Sequence, residues 1–313
     1  MTKAWHSVTI GVREMSAVLP LWRDIFGLEF VAQRSGSDHH LVNLWGLDKD
    51  AVVYQALLRS PGCHTGQVHL VEFNDPLPEV REDARVFDLC PKNLAVYVRD
   101  MPARIAELKA SGRVFSSEDF SEVTVANGVR LREIQLPEHD AINVVLLEIL
   151  GQSFPFTSRG YAGVGPVTTV VADADREKRF YQSVLGLDCI SDHLLEGLEI
   201  DQVVRLPPGA GVKVCILGAA DQPFGQIEIV EYQELKGTGL YPRARPPGLG
   251  TLMVSYQVDD IKALADRLIR HRVKYTCSNA VDTVLGDGAV LQFASPAGFR
   301  VQVFETPVAA ISG

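Results

Sequence analysis

The sequence predicts an α+β fold of four βαβββ units arranged as two tandem copies, and three observations carry that expectation. Segments recur at one offset: LWRDIFGLEFV (Leu21 to Val31) returns as FYQSVLGLDCI (Phe180 to Ile190), and GQVHLVEF (Gly66 to Phe73) as GQIEIVEY (Gly225 to Tyr232). The pairs Gly27 and Gly186, Gly66 and Gly225, and Pro137 and Pro296 are each 159 residues apart, which in a chain of 313 denotes a duplicated domain. Each copy divides again, since every half opens on an apolar strand, continues into a helical pattern and closes on an alternating run. The copies are placed at residues 1–150 and 164–313, with GQSFPFTSRGYAG (Gly151 to Gly163) as a Gly-, Ser- and Pro-containing linker.

The elements follow in order. VTIGV (Val8 to Val12) reads as a strand before a helical pattern running to Phe26, and His39 and His40 precede LVNLWGL on an expected second strand. LAVYV (Leu94 to Val98) leads into a helix from Asp100 to Ala110, with Asp100 as its cap and Pro102 in its first turn. VTTVV (Val167 to Val171) precedes a helix over 173–185, and MVSYQV (Met253 to Val258) one over 259–271. The closing runs are GQVHLVEF, NVVLLEIL, GQIEIVEY and RVQVFE. A helix covers one face of each unit's sheet, leaving the other to curve around a cavity.

Composition narrows the functions available. Thirty Lys plus Arg against 39 Asp plus Glu leave a net charge of -9, which disfavours nucleic acid as a partner. No apolar run approaches the roughly 18 residues of a membrane span, and the N-terminus lacks a secretory pattern, so a cytoplasmic location is expected. Five cysteines, widely spaced and never in a CxxC arrangement, read as buried free thiols.

The LFGL- and VLGL-type turns, the VxD after the first strands and the closing SPAGFRVQVFE (Ser295 to Glu305) resemble the vicinal-oxygen-chelate superfamily across nearly the whole chain. That superfamily includes glyoxalase I, extradiol dioxygenases and antibiotic-resistance binders. The resemblance implies a cup with metal ligands drawn from the start of each first strand and the middle of each closing strand. Counting back five residues from Val12, Val98, Val171 and Val258 gives Ser7, Asn93, Pro166 and Met253. The closing strands contribute His69, Asn143, Glu228 and Gln302. One cup is thus expected to present Ser7, His69, Asn93 and Asn143, and the other Pro166, Glu228, Met253 and Gln302.

Each set holds one imidazole or carboxylate, where iron or zinc needs three such donors, so no metal cofactor is expected. His6, His69 and Glu148 are the fallback ligands for a divalent ion should the strand register differ. Glu72 and Glu231 have the opposite parity to His69 and Glu228 and are expected in solvent or in ion pairs on the helix side. In the cups, Glu228 and His69 are the candidate acid-base residues. Gln302, Asn93, Asn143, Tyr97, Thr168, Met253 and Ser255 are the candidate substrate contacts. Arg243 and Arg245, on the connector KGTGLYPRARPPGLG, are candidate clamps for a carboxylate or phosphate.

The expectation is an enzyme of isomerase or lyase type acting on a small aromatic or carbonyl-bearing metabolite. A metal-free binding or resistance protein and a metal-dependent ring-cleavage dioxygenase or lyase are the alternatives. A small molecule is the expected partner, with neither nucleic acid nor membrane, and a homodimer is compatible.

Overall fold

Alternation along the first strands decides which way each sheet faces. In the computed structural model, which describes residues 3–124, 128–196 and 210–305, Val8, Ile10 and Val12 lie in the helix-side core. Leu94, Val96 and Val98 join them there, as do Val254, Tyr256 and Val258. The register read from these strands therefore holds, and residues of the other parity face the concave side.

The first unit contains β1 (Ser7–Val12), α1 (Met15–Leu19, continued by a π-helical turn Pro20–Ile25), β2 (Glu29–Ser35), α2 (His39–Trp45), β3 (Val52–Arg59) and β4 (Gln67–Phe73). The second contains β5 (Pro91–Val98), α3 (Met101–Ala110), β6 (Ser121–Thr124), β7 (Arg130–Pro137) and β8 (Asn143–Ile149). The third contains β9 (Tyr161–Val170), α4 (Ala174–Phe180, continued by Tyr181–Leu185), β10 (Asp188–Leu195), β11 (Val212–Gly218) and β12 (Gln226–Tyr232). The fourth contains β13 (Gly250–Val258), α5 (Ile261–Arg270), β14 (Tyr275–Thr283), β15 (Gly286–Ala294) and β16 (Arg300–Glu305). Asp100 caps α3 with Pro102 behind it, as the sequence indicates. No helix among the described residues is long and apolar enough to cross a membrane.

These strands form two eight-stranded mixed sheets, ordered β14-β15-β16-β13-β1-β4-β3-β2 and β10-β11-β12-β9-β5-β8-β7-β6. Each sheet joins one unit from each copy of the duplication. Units one and four share the outer sheet through antiparallel β1 and β13, and units two and three share the inner sheet through β5 and β9. The composition of the cups expected from sequence order is corrected accordingly: Ser7 and His69 share a cup with Met253 and Gln302, and Asn93 and Asn143 share one with Pro166 and Glu228.

The physical reason lies in the connections. The short linker after β8 returns β9 beside β5. The two long connectors run side by side, bridged at Glu79 with Leu249 and at Leu89 with Gly239. At the junction of the sheets the backbone makes a closed ring of hydrogen bonds. Trp5 N donates to Gly225 O, Gly225 N to Val164 O, Val164 N to Gly66 O, and Gly66 N to Trp5 O, at 2.8 to 3.3 Å. Gly66 and Gly225 have positive φ, and a Cβ on either would lie 2.4 Å from the carbonyl oxygen of Val164 or Trp5 respectively. Only glycine fits this crossing, which explains why the repeated GQ pair opens both closing runs.

The closing-strand glutamates have one function in all four units. Glu72 accepts from Met15 N, Glu148 from Asp100 N and Met101 N, Glu231 from Ala174 N, and Glu305 from Ile261 N. Each carboxylate satisfies amides at the start of its own unit's helix, where the positive end of the dipole favours an anion. Glu72 and Glu231 are thus on the helix side, engaged with helix amides rather than with basic side chains.

Among the described residues one element differs in kind. The segment expected as a second strand at His39 to Trp45 is α2, an added helix. Asp38 accepts from His40 N and Leu41 N at its start, and Gly46 in the left-handed region ends it. Leu41, Val42 and Leu44 are buried against the concave face of the outer sheet, so helical rather than alternating spacing prevails. Of the cysteines, Cys90 and Cys215 are buried, whereas Cys189 and Cys277 are exposed, correcting the expectation that all are internal.

Candidate functional site: two unequal cups

The 159-residue repeat places Thr9 beside His69 in the outer cup and Thr168 beside Glu228 in the inner one. From these matching positions the cups diverge.

In the outer cup α2 fills much of the concavity. Trp45 packs near His69 and Phe73, with its ring 6.3 Å from each. His69 has no exposed surface. Its Nδ1 meets Thr9 Oγ1 at 3.1 Å and its Nε2 meets Gln55 Oε1 at 3.2 Å. Gln55 Nε2 donates in turn to Asp38, the α2 cap, at 2.7 Å. Burial first, and the neighbouring His6 second, push the His69 pKa down to about 3, so the ring is neutral. Gln302 Oε1 accepts from Trp45 Nε1, and Ser255 lies beside it, fully buried. Arg243 donates to Glu82 O on the neighbouring connector. Arg245 lies within electrostatic reach of Arg300 at the start of β16.

In the inner cup the same layer stays accessible: Lys92, Asn93, Glu133, Gln135, Asn143 and Glu228 are all half-buried. Thr168 Oγ1 donates to Glu228 Oε2 at 2.5 Å, and Asn143 Nδ2 donates to Asn93 Oδ1 and Gln135 Oε1 at 2.8 and 3.1 Å. Desolvation raises the Glu228 pKa, with Thr168 and Lys92 opposing it. Glu133, desolvated and under the charge of Glu228, is pushed up to about 7. Lys92 is pushed down to about 8, chiefly by burial, and its Nζ donates to the Tyr232 hydroxyl at 2.5 Å. Tyr232 also walls a cavity of about 590 Å³ at the rim of this cup, together with Phe87, Leu89, Val170 and Lys236. Tyr97 stacks on Phe154 of the linker at 4.5 Å and closes the opposite side.

Lys92 and Glu133 escaped the sequence reading. Strict alternation sends Lys92 to the helix side with Leu94. The ladder slips between Pro91 and Asn93, however, so two residues of β5 oppose one of β9, and this bulge turns Lys92 into the cup. Pro91, which cannot donate to a ladder, is the signal that marks it. Glu133 was legible from RLREIQLP, where Ile134 and Leu136 take the core side and leave Glu133 and Gln135 facing in.

The residues at the positions that would hold a metal do not fit one that needs imidazole and carboxylate donors. In the inner cup Asn93, Asn143, Pro166 and Glu228 supply one carboxylate, and the ammonium of Lys92 acts on that carboxylate and on Glu133. In the outer cup both nitrogens of His69 are engaged. The fallback trio is not assembled: His69 is in the outer sheet, whereas Glu148 is on β8 of the inner sheet, bound to α3 and Arg132. His6, just before β1, meets Gln67 Nε2 at 2.8 Å. Among the described residues one cluster of three ligand-type side chains occurs, Cys189, Asp192 and Cys215. It includes core-facing Cys215, and Lys178 of α4 holds Asp192 at 2.5 Å.

No protein-family model matches the sequence, and no curated protein matches it either. Solved structures do. Glyoxalase I from Zea mays superposes with a TM-score of 0.65 at 15% identity, covering 96% of this chain and 92% of that one. A "putative dioxygenase" from Bacillus subtilis subsp. subtilis str. 168 gives 0.61 at 12% identity, covering 98% and 86%. The architecture is therefore a glyoxalase-like fold over essentially the whole chain. At these identities the likeness is one of fold, and the chemistry has to be argued from the cups.

Proposed function

We propose that the inner cup is the reaction site of an enzyme that moves a proton on a small carbonyl compound, with Glu228 as general base and no metal ion in the step. The observation that carries this reading is the grouping of half-buried Glu228, Lys92 and Glu133 with Tyr232 on the concave face of the inner sheet, next to the rim cavity that Tyr232 walls, where desolvation brings carboxylate and ammonium pKa values toward neutrality. Glu228 takes the proton from the carbon beside the carbonyl. The electron pair of the broken C–H bond moves onto the carbonyl oxygen, where the Lys92 ammonium and the Tyr232 hydroxyl stabilise the enolate. In a β,γ-unsaturated ketone the enolate is a dienolate, and return of the proton to its γ-carbon as the carbonyl re-forms gives isomerisation. Where a leaving group stands on the β-carbon, the carbonyl re-forms, an α,β double bond forms and the group departs with its bonding pair, giving elimination. Val170 and Val230, with Phe87 and Leu89 at the rim, provide an apolar wall suited to an aromatic or alkyl body.

The test is proton exchange in D2O followed by NMR, over a panel of aromatic and aliphatic 2-oxo acids and cyclic enones. Deuterium should enter the acidic position of at least one compound with the native protein. Glu228→Gln should slow that exchange by roughly 100- to 10,000-fold while leaving binding intact. Exchange unaffected by Glu228→Gln rejects the base assignment, and compounds that bind without exchanging assign the cup to sequestration instead. Near-stoichiometric iron, zinc or manganese that purifies with the native protein and is lost in Glu228→Gln overturns the metal-free part.

A further inference from the structure

The helix that plugs the outer cup leaves part of it open. On the fourth-unit side remains a cavity of about 470 Å³, bounded by Tyr241, Met253, Lys274, Gln292, Arg300 and Gln302. One part of its lining is set independently of any ligand. Gln302 Oε1 accepts from both Trp45 Nε1 and Gln292 Nε2 at 2.9 Å, which holds the two amides in fixed orientations.

The remaining polar groups are cationic. Arg300 and Lys274 line the cavity, and Arg245 sits near enough to Arg300 for the two charges to oppose each other. Among the described residues none of these three side chains has an ion-pair partner. All three residues are exposed at the mouth of the cavity, and partial desolvation and the Arg245 charge, in that order, work against the protonated Arg300. In a chain with nine more acidic than basic residues, uncompensated cations gathered at one cavity carry a repulsive cost that a bound anion relieves.

From this geometry we infer that the outer cup is a second ligand site, separate from the inner cup, for a small molecule with an oxyanion group on an apolar body. The carboxylate or phosphate lies between Arg300 and Lys274, with Arg245 adding charge from the connector, and the body covers Met253 and the Tyr241 wall. Arg300 can hold two oxygens of such a group at once through its planar fork.

Calorimetric titration at low ionic strength with 1-naphthoate, 1-naphthyl phosphate and uncharged 1-naphthol tests this. At least one of the two anions should bind with one-to-one stoichiometry, and 1-naphthol should bind at least about tenfold more weakly. The preference between the anions identifies the headgroup. Arg300→Gln should weaken anion binding by about tenfold or more, Arg300→Lys by less, and Arg245→Gln by a smaller factor. Glu228→Gln should leave it unchanged, so the outcome is independent of the inner-cup chemistry. Circular dichroism checks that each variant is folded. Absence of binding by both anions, equal binding of 1-naphthol, binding unaffected by Arg300→Gln, or binding lost in Glu228→Gln each overturns the second site.

Discussion

The two cups began as equivalent positions of a duplicated chain and now show opposite solutions to one problem, a polar group on the concave face of a curved sheet. In the outer cup the group is an imidazole, and a helix inserted between β2 and β3 covers it. Thr9, Gln55 and Asp38 then form a chain of hydrogen bonds that leaves His69 neutral and inaccessible. In the inner cup the group is a carboxylate, and Glu228 is half-buried with a cation nearby; the counterpart of the α2 segment lies outside the described residues. A buried polar group that is fully paired stabilises a structure, whereas one held partly desolvated is available for chemistry. Among the described residues the lesson is one of surroundings: His69 lies under α2 with both nitrogens paired, whereas Glu228 stays half-buried among polar neighbours.

The comparison can be broken most forcefully at the plug. Asp38 is buried, caps α2, and also receives Gln55 and Arg34, so Asp38→Ala should cost about 2 to 4 kcal/mol in denaturant unfolding. The Glu228-dependent exchange rate should not change, since the plug belongs to the other cup. A fall in that rate without unfolding would mean that the cups are coupled.

The pH dependence of stability should carry opposite signs for the two cups. His69 is lowered from 6.5 to about 3 and His6 from 6.5 to about 4 on folding. Their contribution is complete above pH 6.5 and is lost as pH falls toward 3, because the unfolded chain takes up the protons first. Glu133 is raised from 4.5 to about 7, so its contribution is complete below pH 4.5 and is lost as pH rises to 7. Unfolding curves across pH 3 to 8 should show His69→Gln flattening the acid limb and Glu133→Gln flattening the decline between pH 4.5 and 7. If each substitution flattened the other limb instead, the electrostatic contrast between the cups would be lost.

The smallest effect measures what the cups still share. Glu72→Gln in the outer sheet and Glu231→Gln in the inner one should each cost about 0.5 to 1 kcal/mol, through a weaker interaction with the helix start. Equal losses would show that the repeated cap is indifferent to the fate of its cup. A loss confined to one sheet would show that the units have diverged on the helix side as well.

Much of this was legible in residue order. The four units and the orientation of the first strands follow from periodicity, because side-chain direction along a strand is set locally by the pleat, and the inward parity of His69 and Glu228 agrees with the closing-strand positions that the resemblance implies. Lys92 was hidden by a bulge, since one extra residue inverts a parity that alternation alone assigns. Helix α2 was hidden because a short apolar run such as LVNLW suits either period until a cap and a surface to cover decide it.

What residue order alone determined, then, is the set of units and the face taken by the regularly alternating strand residues, both products of short-range stereochemistry. The tertiary structure alone decided which units share a sheet, and therefore that Glu228 stands with Asn93 and Asn143 while Gln302 stands with His69. Strand pairing between distant segments depends on how connectors lie across each other and on a junction that admits only glycine, and neither is encoded within any single unit.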